Sequence, residues 1–85
     1  MKKLKDLESM ITDEVINRIL KPTELFVIHA LIAEYFKSES KDKPMVETVI
    51  RAVLRGMINL AKDAKEISNE DYEYIFKNYV GDILD

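Results

Sequence analysis

A chain of 85 residues makes one domain spanning 1–85, because cores divide only in much longer chains. It has no cysteine and one histidine, which excludes disulfides, thiolate metal sites, cysteine nucleophiles and multi-histidine metal sites. Charged residues are 34% and apolar ones 47%, a globular balance; the net charge of −3 divides into +1 over residues 1–66 and −4 over 67–85, the reverse of what a mainly electrostatic nucleic-acid binder shows.

Apolar spacing predicts four helices. The first covers about 3–20, where Leu4, Leu7, Ile11, Val15 and Ile19 recur at threes and fours. Thr12, Asp13 and Glu14 offer an alternative start inside it, since acids favour a first turn. One continuous helix is the preferred reading, ended by Pro22. The second helix runs over 23–37. Between Leu25 and Phe36 only His29 and Glu34 are neither apolar nor aromatic. A helix apolar nearly all round is either the centre of a bundle or meets another chain over part of its surface. His29 is accordingly expected in a core or an interface.

Pro44 fits the first turn of a third helix over 44–65. Ala52 and Gly56 lie four apart on it. A mid-helix glycine is unfavourable, so a second backbone is expected to pack close there, or else the glycine is an ordinary surface position. The fourth helix, 69–84, has the clearest start. Ser68 is placed to cap it, and Ile67 and Tyr72 to staple it. Tyr72, Ile75, Phe76, Tyr79, Val80 and Ile83 share its apolar stripe, and Gly81 weakens its last turn. The expected fold is an all-α, compact, antiparallel bundle.

No motif carries chemistry. His29 lacks a partner nucleophile, and Ser9, Ser38 and Ser40 lack motif context. Asp13/Glu14 and Glu70/Asp71 are adjacent carboxylates, but neighbours on a helix diverge by about 100° and both pairs suit helix starts. Phosphate loops, zinc helices and calcium loops are missing from the sequence. The expectation is therefore no enzyme, no cofactor and no metal. No segment has the length of a membrane span, and a cytoplasmic location is expected.

Two surfaces are candidates for binding. Arg51, Arg55 and Lys62 fall within about 40° on the wheel of the third helix and suit a phosphate or an acidic protein. Tyr74 points away from the apolar stripe of the fourth helix, towards Glu70 and Asn78. That makes an aromatic anchor among acids for a basic partner. The sequence from 44 to 83, a long helix followed by ISNEDYEYI, resembles the later half of bacteriocin immunity proteins. That resemblance implies a four-helix bundle with an inhibitory role; the family's extended tail has no counterpart before Asp85.

The favoured reading is a small regulator or inhibitor acting through protein–protein contacts, of immunity, antitoxin or phage-accessory type. The alternatives are a helix-turn-helix-like nucleic-acid binder using the Arg51, Arg55 and Lys62 ridge, and a self-associating structural subunit. Excess apolarity over 25–36 makes a homodimer the expected assembly.

Overall fold

The computed structural model describes residues 3–81. Five α-helices follow in order: α1 (Leu7–Thr12), α2 (Glu14–Ile19), α3 (Pro22–Lys37), α4 (Lys43–Asp63) and α5 (Asn69–Ile75). A π-helical segment, Phe76–Val80, continues α5 directly. The fold is all-α and compact. Ile83 and the rest of the predicted last turn lie outside the described residues.

The expected single first helix is two. The break is at Asp13, whose backbone is extended (φ −67°, ψ 123°). Its Oδ1 accepts from the N–H groups of Val15 (2.9 Å) and Ile16 (3.2 Å), capping α2. One carbonyl at the end of α1 is satisfied by a side chain of α2. Asn17 Nδ2 donates to the carbonyls of Ile11 (2.9 Å) and Asp13 (2.8 Å). Side chains within six residues thus answer two N–H groups at the start of α2 and the Ile11 carbonyl of α1. The bend lets Leu7, Met10, Ile16 and Leu20 all reach the core.

Pro22 opens α3, and Glu24 Oε1 accepts the N–H of Lys21 (2.8 Å) at its start. Its far end is closed at the Tyr35 carbonyl, which accepts from Ser38 Oγ and Lys43 Nζ, each at 2.6 Å. A short link then folds α4 back along α3. α4 buries Ile50, Leu54 and Ile58. It ends in a Schellman arrangement, with Glu66 N–H on the Ala61 carbonyl (2.8 Å) and Lys65 N–H on that of Lys62 (2.9 Å). Lys65 takes the left-handed position there, φ 59°.

The Ser68 cap forms as expected, its Oγ accepting the Asp71 N–H (3.1 Å). Tyr79 and Val80 of the π-helical segment are buried with Ile75. The chain leaves that segment at Gly81, with φ 60° and ψ −147°. A Cβ there would stand 3.1 Å from a Leu4 methyl. Only glycine suits both demands.

Side chains of all five helices and the π-helical segment meet in one core. Met10, Ile16, Ile28, Ile32, Ile50, Leu54, Ile58, Ile75, Tyr79 and Val80 are withdrawn from water. No helix among the described residues is long and apolar enough to cross a membrane.

Candidate functional site

The two predicted surfaces are used largely inside the fold. Arg51 does not stand on a solvated ridge; it is 4% exposed. Its Nη1 donates to the carbonyl of Tyr79 and its Nη2 to that of Lys5 (3.0 Å). Glu47 Oε2 balances the charge, accepting from Nη2 at 2.8 Å and from Nε at 3.0 Å. The cause lies in the π-helical segment. Its terminal carbonyls lack helical partners, and a guanidinium fork is the side chain that reaches several acceptors at once. Lys5 N–H takes another of them, the Asn78 carbonyl, at 2.7 Å.

The other ridge members are less tightly held. Lys62 Nζ lies 4.4 Å from the centroid of the Tyr72 ring, a cation–π contact. Tyr72 in turn donates its hydroxyl to Asn59 Oδ1 (2.7 Å). Arg55 is half-buried, and its Nε has no hydrogen-bond partner among the described residues.

Tyr74 is also engaged within the chain rather than standing free. Its hydroxyl donates to Asp13 Oδ2 (2.8 Å) and accepts from Lys5 Nζ (3.3 Å). Tyr79 donates to the same Asp13 oxygen. Asn78 Nδ2 donates to the Tyr74 carbonyl (2.8 Å). The N-terminal segment crosses the side of the C-terminal helix that the wheel left open. Glu70 remains exposed.

Asp13 is therefore a junction between the start of α2 and the C-terminal helix. Burial alone would raise its carboxyl, but donors from Tyr79, Tyr74 and the Ile16 and Val15 N–H groups outweigh it and hold the group below its ordinary range. Burial, and next the carboxylate it faces, push the Tyr79 phenol well above its usual value. The carboxylate stays charged with its acceptor sites occupied, and the phenol stays protonated. A carboxyl held low is a weak base, and a phenol held high is a weak acid. Among the described residues no three His, Cys, Asp or Glu side chains gather closely enough to hold a metal ion.

What the fold leaves outward is apolar. α3 is not surrounded by protein, because Ile28 and Ile32 alone are fully buried on it. Phe26 is 73% and Phe36 54% exposed. His29 and Ala33 are exposed between them, so His29 is not a core residue. These four positions recur at threes and fours and form one stripe along α3. The unusual apolarity of 25–36 was the visible signal of this surface. Which of its residues face water depends on where α1 and α4 pack. Phe36 also borders a small cleft with Asp6, Glu8, Tyr35, Glu47 and Arg51.

Comparison with protein-family models, curated proteins and solved structures finds no match to this chain, so the likeness of 44–83 to bacteriocin immunity proteins gains no support there.

Proposed function

We propose that this chain is a non-enzymatic binding protein that docks a partner protein through the Phe26, His29, Ala33 and Phe36 face of α3. The observation that carries the reading is the 73% exposure of Phe26 together with that of Phe36. Large aromatics on one helix face, left in water while Ile28 and Ile32 of the same helix are buried, match the anchors of helix-in-groove recognition. A regulator or inhibitor of immunity, antitoxin or phage-accessory type, acting in the cytoplasm, fits such a device. The saturated Asp13 junction favours a scaffold over an active centre.

The nucleic-acid alternative is weaker than its sequence suggested. Arg51 spends its guanidinium on Tyr79, Lys5 and Glu47, and Lys62 stacks on Tyr72. Arg55 alone offers little to a phosphate backbone.

The test is affinity capture from the native host with the unmodified chain, with Phe26→Ser/Phe36→Ser, and with Arg55→Glu/Lys62→Glu. A protein retained by the native chain and by the arginine–lysine variant, but lost with the double serine variant, is the expected result. Retention of nucleic acid, lost with the arginine–lysine variant, would favour the alternative.

A further inference from the structure

A second apolar surface lies on α4, and its order along the helix is symmetric. Met45, Val49 and Leu60 are 66%, 47% and 72% exposed, and Gly56 is exposed among them. On a wheel the four fall within about 60°; no charged residue between Met45 and Leu60 enters that arc, and the acids Asp42 and Asp63 bound it at its two ends. A Cβ built on Gly56 meets nothing within 4 Å. The gap left by the missing side chain therefore serves no contact among the described residues, although glycine weakens a helix interior.

Met45 and Leu60 are equally far from the midpoint between Ala52 and Val53, and so are Val49 and Gly56. Two α4 helices laid antiparallel about a two-fold axis at that midpoint bring Met45 against Leu60 and Val49 against Gly56, twice over. The large branched residue meets the notch each time. A parallel pairing sets glycine against glycine and leaves the notch empty. Self-complementarity of this kind is what an isologous interface requires.

We propose that two copies of this chain pair antiparallel through Met45, Val49, Gly56 and Leu60 of α4, with Val49 of each seated in the notch at Gly56 of the other. The stripe is about 22 Å long, from the rise of an α-helix. It covers on the order of 400 Å² per copy, about half of a standard interface, so the pairing is a weak, transient one. This face is distinct from that proposed on α3. Phe36 shares its cleft with Glu47 and Arg51, which project from the far side of α4 relative to Val49.

Because the chain has no cysteine, introduced ones report cleanly. Met45→Cys and Leu60→Cys chains, mixed and oxidised, are expected to form a disulfide-linked mixed dimer. Either variant alone is expected to stay single, since like positions lie about 22 Å apart in this pairing. Sedimentation of the native chain is expected to show mass rising between roughly 10 μM and 1 mM. Val49→Glu abolishes that rise at unchanged helicity, and Phe26→Ser leaves it intact. A native chain monomeric throughout, association that survives Val49→Glu or is lost with Phe26→Ser alone, or Met45→Cys cross-linking to itself would overturn the proposal.

Discussion

Arg51 in α4 reaches across 28 positions to the carbonyl of Tyr79, and in doing so ties the π-helical end of the chain to its middle. The same guanidinium holds the Lys5 carbonyl, so the N-terminal segment hangs on it too. Replacing Arg51 by methionine keeps bulk and leaves these carbonyls without a donor and Glu47 without its counter-charge. A loss of about 3 kcal/mol in stability is expected, read as a lower urea midpoint. Arg51→Lys recovers only part of it, because one ammonium cannot span the separate acceptors.

Asp13 joins the α2 cap to Tyr74 and Tyr79. Asp13→Ala is expected to cost about 2–3 kcal/mol, a cap plus buried hydroxyls left without an acceptor. The variant also changes the pH profile. A carboxyl held below its unfolded value stabilises the fold above the ordinary carboxylate pKa, and that contribution fades as pH falls through the lower folded value. Thermal melts between pH 6 and about 2 are expected to show a shallower acid limb for Asp13→Asn than for the native chain.

Lys65 occupies a left-handed C-terminal position that glycine normally fills. Lys65→Gly relieves the Cβ clash while Glu66 and Lys65 N–H bonds persist. A gain of about 0.5–1 kcal/mol is expected in chemical denaturation.

The two glycines behave oppositely. Gly56 is helical with open space at its Cβ, so Gly56→Ala is expected to add about 0.5–1 kcal/mol to the monomer. Gly81 combines φ 60° with a Leu4 methyl close by. Gly81→Ala is expected to destabilise by about 1–3 kcal/mol. Paired thermal melts of both variants against the native chain check the signs.

Local chemistry was legible in the sequence where a residue acts on its own helix. Pro22 and Ser68 mark starts within a residue or two of those observed, and Ile28, Ile32, Leu54 and Ile58 follow helical spacing into the core. It was misleading where a polar residue serves a distant backbone. A wheel places Arg51 on the polar side, yet the donors it supplies are needed by Tyr79 and Lys5, far along the chain. Tyr74 is turned from its own stripe because its partners, Asp13 and Lys5, come from the other end. The break at Asp13 had a local cap signal, but its stability also draws on those two tyrosines. Nothing local announces the π-helical segment, whose extra carbonyls are satisfied by tertiary donors. The exposed aromatics were visible as a composition excess, without a direction.

Hydrogen exchange of the chain with and without its captured partner tests the α3 docking face most directly. New protection is expected over residues 26–36, with the α5 amides near Glu70 and Tyr74 unchanged. Protection confined to α5, or to the Arg55 side of α4, would contradict the assignment of the aromatic face as the binding surface.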